Sequence, residues 1–205
     1  MDFKNRIKGS ITQTLVKALL QDAGYHIISL GVEEVIREVA ALPLSEYKQL
    51  ELPHVLRKMP DFFVSDQYVE RAWLVEVKYR KEWNDRTRTK LGKDIYEQVK
   101  SWSPLFLIIF LGTSTKPNNE NPANSIGVIK LEYDNGKIVH KWEKRKPLTK
   151  NEVPEIVTTD WDDISWGNFS RFQDIFLDVS TRWESQTILQ AFNILKSLKA
   201  IDFFE

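Results

Sequence analysis

Cysteine is absent from the 205 residues. That excludes a disulfide framework and any metal or redox site built on thiolates. Histidine is scarce, with three copies, and no His/Cys metal cluster is present. His54 stands alone and reads as a surface or packing residue. No glycine-rich loop of the phosphate-cradling kind occurs, and no internal repeat. The longest apolar run, Leu105 to Leu111, is far too short to span a bilayer. No apolar signal core follows the opening Met1-Asp2-Phe3-Lys4. The expectation is a cytoplasmic chain with no membrane association.

An excess of either charge is also missing, since 29 Lys and Arg balance 29 Asp and Glu. Composition therefore gives no global case for a nucleic-acid partner. The distribution says more. Lys78 to Lys100 holds eight basic residues against four acidic ones, and Lys137 to Lys146 holds five against one. From Pro147 onward the balance reverses, with five basic against ten acidic residues. Basic segments ahead of an acidic tail can steer a phosphate backbone. The plainer reading is a set of solvated faces that differ in sign.

What the chain does have is a stretch of apolar strands with ionisable groups inside them. Phe62, Phe63 and Val64 form one apolar run, and Trp73, Leu74, Val75 and Val77 form a second. Polar residues between them suit a hairpin turn. Asp61 opens the first strand, while Glu76 and Lys78 sit inside the second. Strand side chains alternate, so Glu76 and Lys78 share a face. A hairpin can bring Asp61 beside them. Burying these charges costs several kcal/mol unless they are paired or bind a metal. Two carboxylates facing one point make a hard, oxygen-rich site suited to Mg²⁺ or Mn²⁺, and the Val77 carbonyl can add a third oxygen. A nearby lysine can orient or deprotonate a water, or stabilise charge at phosphorus. Those are the parts of metal-assisted phosphodiester hydrolysis.

The pattern Pro60-Asp61 with Glu76-Val77-Lys78 resembles the PD-(D/E)xK nuclease superfamily, which includes restriction endonucleases and Holliday junction resolvases. Two other acid-x-Lys matches exist, Asp2-Phe3-Lys4 and Glu46-Tyr47-Lys48. Neither lies in an apolar strand-like run, and neither follows a Pro-Asp. The opening Lys8-Gly9-Ser10-Ile11 through Ala23-Gly24-Tyr25 is similar to that of archaeal-type resolvases. The resemblance implies a metal-dependent DNA endonuclease, often a homodimer. It also implies a glutamine or lysine on the helix after the Glu-x-Lys strand, for which Gln98 is the candidate. One position departs. Such resolvases carry a metal-holding glutamate in the first helix, where this chain has Gln13. Glu33 or Glu34 would then supply the missing acid; otherwise both belong to the polar first turn of a helix.

Residues 4 to 22 read as an amphipathic helix ended by Gly24, followed by a strand from Tyr25 to Leu30. Residues 32 to 58 read as helical and irregular, and would be an insertion relative to resolvases. Arg80 to Arg88 reads as a charged loop, with Trp83 either stacking on a base or tucked against the body. A helix over Lys90 to Trp102 and a buried strand over Leu105 to Leu111 complete a βαβ unit. Residues 112 to 123 read as a loop. Asp134-Asn135-Gly136 joins two strands by a type I′ turn.

These observations predict an α/β fold, a mixed central β-sheet flanked by helices, with residues 1–146 as a nuclease-like domain. Residues 147–205 would be an acidic, aromatic helical extension that packs on the core or forms a dimer interface. Asp61 and Glu76 would hold the ion, Lys78 would assist the attacking water, and DNA would be the substrate. Two other readings stay open. The fold could bind nucleic acid or a protein without cutting, or the three charged groups could form a buried structural pair.

Overall fold

The computed structural model describes residues 3–31, 42, 44–112, 125–144, 155–180, 193, 194 and 197. Within them the chain is α/β, with a mixed eight-stranded sheet flanked by helices. Glu33 and Glu34 lie outside the described residues, as do residues 113–123 of the expected loop and most of residues 181–205. About half of the extension expected to pack on the core or form a dimer interface, residues 147–205, lies outside the described residues as well. Among the described residues, no helix is long and apolar enough to cross a membrane.

Helix α1 spans Phe3–Asp22. Gly24 ends it at φ +89°. Its N–H donates to the Gln21 carbonyl at 3.0 Å, and that of Tyr25 to Leu20 at 3.0 Å. This pair of bonds is a Schellman motif, which needs the left-handed residue that glycine supplies. It turns the chain directly into β1 (His26–Ser29). Two short helices follow, α2 (Leu44–Gln49) and α3 (His54–Arg57). Next come β2 (Phe62–Ser65) and β3 (Ala72–Arg80). Helix α4 (Asp85–Trp102) crosses back to β4 (Leu105–Leu111). Strands β5 (Ile126–Asp134) and β6 (Lys137–Lys144) form the expected hairpin. Its turn residues Asn135 and Gly136 have φ of +48° and +83°, as a type I′ turn requires.

The sheet runs β1-β2-β3-β4-β5-β6 in chain order and ends on β7 (Glu155–Asp160). Among the described residues only β3 and β4 pair in parallel, and helix α4 is the crossover that joins them. The two-residue β8 (Ser170–Arg171) pairs with β5. Short helices α5 (Phe172–Ile175) and α6 (Leu177–Ser180) follow. The extension expected to be helical from 147 onward is therefore strand over 155–160 and 170–171. The four consecutive β-branched residues Ile156, Val157, Thr158 and Thr159 favour that state.

Two cores sandwich the sheet. On one face Val16, Leu19 and Leu20 of α1 meet Phe62, Val64, Val75, Val77, Ile108 and Phe110, closed by Phe172 and Phe176. On the other, Leu91, Ile95 and Val99 of α4 meet Leu105, Leu107, Ile109 and Leu131, closed by Trp161 and Ile164. Each such side chain contributes about 1.5–3 kcal/mol when fully buried. Strand β4 feeds both cores, which is why it reads as unbroken apolar sequence. Strand β3 divides by parity. Val75 and Val77 face α1, so Leu74, Glu76 and Lys78 face α4.

Candidate active site

The site forms where β2 and β3 part company. Their pairing ends with Phe62 opposite Val75, while β3 runs on to Arg80 against β4. The edge of β3 beyond Val75 is left open on the β2 side. Asp61 stands one step outside that last pair, opposite Glu76. Its backbone stays tied to the sheet, since the Leu30 N–H donates to the Asp61 carbonyl at 3.0 Å. Its carboxylate replaces the missing ladder partner: Oδ2 accepts from the Val77 N–H at 2.8 Å.

Within a strand, a residue's N–H and carbonyl point to the same side. The Gly112 N–H donates to the Arg80 carbonyl at 2.8 Å, so the peptide groups of even-numbered β3 residues point to β4. Those of odd-numbered residues point to the open edge. The Val77 carbonyl therefore points toward the side where Asp61 sits.

Each helix contributes one glutamine. Gln13 of α1 donates Nε2 to Asp61 Oδ1 at 2.8 Å. Gln98 of α4 donates Nε2 to Glu76 Oε2 at 2.7 Å and to the Met59 carbonyl at 3.2 Å. Lys78 Nζ pairs with Glu76 Oε1. The Lys78 side chain keeps 28% of its surface exposed, against 5% for Glu76, so Glu76 is the deeper of the two.

The electrostatics follow from this crowding. Burial pushes the Asp61 carboxyl up, and the Glu76 charge pushes it further, to about 7, against the pull of Lys78, Val77 N–H and Gln13. Burial alone would lower Lys78. The charges of Glu76 and Asp61, with the Glu76 hydrogen bond, hold it above the ordinary lysine range instead. Two acids and one cation leave a net negative site at full ionisation.

Would these groups suit a divalent cation? Among the described residues, no three His, Cys, Asp or Glu side chains gather in one place. The donor set is two carboxylates and a strand carbonyl. Each carboxylate oxygen has a second acceptor direction beyond the bond it already takes. Like charge between Asp61 and Glu76 raises Asp61, and a cation between them would relieve that cost. The chemistry is that of a hard, oxygen-binding ion, so Asp61, Glu76 and the Val77 carbonyl fit the group.

The structure thus brings together Asp61, Glu76, Val77, Lys78 and Gln98 of the residues singled out from sequence. Of the two readings of Trp83, the structure shows the one tucked against the body. Its ring packs against Phe169 at 5.0 Å and Trp161 at 5.9 Å, and its Nε1 donates to the Ile164 carbonyl at 3.3 Å. Arg86 and Arg88, assigned to a loop, lie in the first turn of α4. Gln13 emerges as a donor to Asp61, a role that its identity alone did not reveal. Arg80, read as the start of the charged loop, is instead the last residue of β3, at an even-numbered position like Glu76 and Lys78.

In comparisons with known proteins, no family model matches the chain, and neither a curated protein nor a solved structure does so.

Proposed function

We propose that this chain is a metal-dependent DNA endonuclease of the PD-(D/E)xK type with a restriction-endonuclease-like core. What supports the reading is the meeting of Asp61, Glu76 and Lys78 at the open edge of β3, the two acids standing 15 positions apart along the chain. Asp61, Glu76 and the Val77 carbonyl would hold Mg²⁺ or Mn²⁺. A bound ion there supplies charge neutralisation and a water acidic enough to attack phosphorus. Lys78 acts as a cation, because its raised pKa keeps it protonated at neutral pH. It would orient the water or stabilise charge developing on the phosphoryl oxygens. Gln98 fixes the Glu76 carboxylate, and Gln13 fixes that of Asp61. The basic excess between Lys78 and Lys100 would draw the DNA backbone to this edge.

The test is cleavage of supercoiled and branched DNA in Mg²⁺ or Mn²⁺, with a chelator control. Asp61→Ala and Glu76→Ala should abolish metal-dependent cutting while thermal unfolding stays cooperative. No cutting of either substrate by the wild-type protein in either ion would overturn the reading.

One observation favours a second reading, a nuclease-fold module that binds without cutting. At Gln13 an amide N–H donor faces Asp61, so α1 brings no acid to the site at that position. DNA binding by wild-type protein without any metal-dependent cleavage would select it.

A further inference from the structure

Glu76, Lys78 and Arg80 lie at alternate positions of β3 and so on one face of it. Arg80 is near enough for its charge to interact with both Glu76 and Lys78. Its guanidinium is only lightly engaged. Nη1 donates to the Tyr79 carbonyl at 2.8 Å, and Nη2 approaches Asp94 of α4 at 3.9 Å, beyond hydrogen-bond range. Asp94 is 54% exposed and Arg80 24% exposed. A guanidinium carries five N–H donors in a planar fork matched to phosphate oxygens, more than these two contacts use.

The spacing gives that fork a use. Two residues of strand advance about 6.7 Å, close to the step between consecutive phosphates on one nucleic-acid strand. A backbone laid across the exposed ends of these two side chains, with one phosphate at Lys78, would set its neighbour at Arg80. The strand would then measure the DNA backbone with its own repeat.

We infer that Arg80 is a substrate-positioning residue that holds the phosphate next to the one at Lys78, with Asp94 occupying it when DNA is absent. This rests on the endonuclease reading for its substrate. It adds a definite residue, a definite phosphate and a partner that DNA must displace.

The experiment measures binding of full-length protein to a short DNA duplex in chelator, across a range of salt concentrations. Wild type, Arg80→Ala, Arg80→Lys and Asp94→Ala are compared. Arg80→Ala should weaken binding about tenfold near physiological salt and lower the slope of log K against log salt by about one. Arg80→Lys should keep the slope but recover only part of the affinity, since a point charge replaces the fork. Asp94→Ala removes the same ion pair without touching Arg80, and should bind as tightly as wild type or tighter. If Asp94→Ala weakens binding as much as Arg80→Ala, the pair is structural and the inference falls. Unchanged affinity and slope in Arg80→Ala, with wild type binding normally, overturns the Arg80 role alone. No DNA binding by wild type overturns the inference, while the endonuclease reading stands or falls on the cleavage test in Mg²⁺ or Mn²⁺.

Discussion

Gln98 joins Glu76 to Met59 through a single amide nitrogen, which donates at 2.7 Å to the carboxylate and at 3.2 Å to the carbonyl. One buried side chain on α4 thereby links a central strand to the segment that delivers Asp61. Met59 and Pro60 lead directly into Asp61, so this contact sets where the first acid enters the site. The other helix acts from the opposite face of the sheet, through Gln13 on Asp61. The two carboxylates are thus held by two separate layers of the fold.

Gln98→Ala should cost more than an exposed helix substitution. It strands a buried Glu76 oxygen and frees the Met59 carbonyl, and losing a charge-assisted partner costs about 1.5–3 kcal/mol. Urea denaturation at neutral pH measures it. A change below a few tenths of a kcal/mol would show that water replaces the amide on both acceptors.

Asp61 makes stability depend on pH in the direction opposite to most paired carboxylates. Its folded pKa lies near 7, above the ordinary 3.8, so the folded state keeps a proton that the unfolded chain releases. Stability should therefore be highest below about pH 4, as far as this residue goes, and fall as pH rises to about 7. Asp61→Asn removes that cost. Its amide oxygen can still accept from the Val77 N–H, and Gln13 can turn its own oxygen toward the new amide group. In chelator at about pH 8, Asp61→Asn should be more stable than wild type, by on the order of 1–3 kcal/mol. At about pH 5 the gain should shrink. Equal destabilisation at both pH values would mean that Asp61 is a satisfied structural acid.

Gly92 sits inside α4, where alanine would ordinarily gain about 0.5–1 kcal/mol. Here a Cβ would lie 2.3 Å from Trp161 Nε1. That nitrogen donates to the Arg88 carbonyl at 3.1 Å, and Trp161 is buried. Gly92→Ala must push the indole away, and overpacking of this kind costs about 1–3 kcal/mol. The expected result is a net loss in thermal stability together with a changed near-ultraviolet tryptophan signal. A stabilised variant would show that the indole shifts freely.

The sequence was most legible where one force acts alone. Strand β4 came out with its true ends because every residue from Leu105 to Leu111 enters one of the two cores or packs beside them. Apolar periodicity starts α4 only at Lys90, whereas the helix begins at Asp85, because its first turn is polar. The start is encoded in Asn84, whose side chain accepts from the Thr87 N–H at 2.9 Å, and apolar periodicity does not register a cap. Strand β7 was hidden by the prolines at 147 and 154, which mark a linker more loudly than a short β-branched run marks an edge strand. In the site, Asp61, Glu76 and Lys78 stood out because charge interrupts apolar strand. Gln13 did not, because its partner lies 48 residues away in sequence and only the packing of α1 on β3 brings the two together.

Metal affinity should follow the proton on Asp61. Binding a divalent ion requires the ionised carboxylate, and that proton leaves near pH 7 in the empty folded state. Mn²⁺ binding followed by calorimetry should therefore weaken by up to about tenfold per pH unit below 7 and level off above it. The competing proton has a specific address, so Asp61→Asn should bind weakly and lose the pH dependence together. Gln13→Glu gives a second handle on the same site. It replaces the amide donor on Asp61 by a third acid, and the carboxylate should raise Mn²⁺ affinity while lowering stability in chelator, as like charges crowd. Weaker binding by Gln13→Glu than by wild type would mean that the helix donor, by orienting Asp61, matters more to the ion than an added charge.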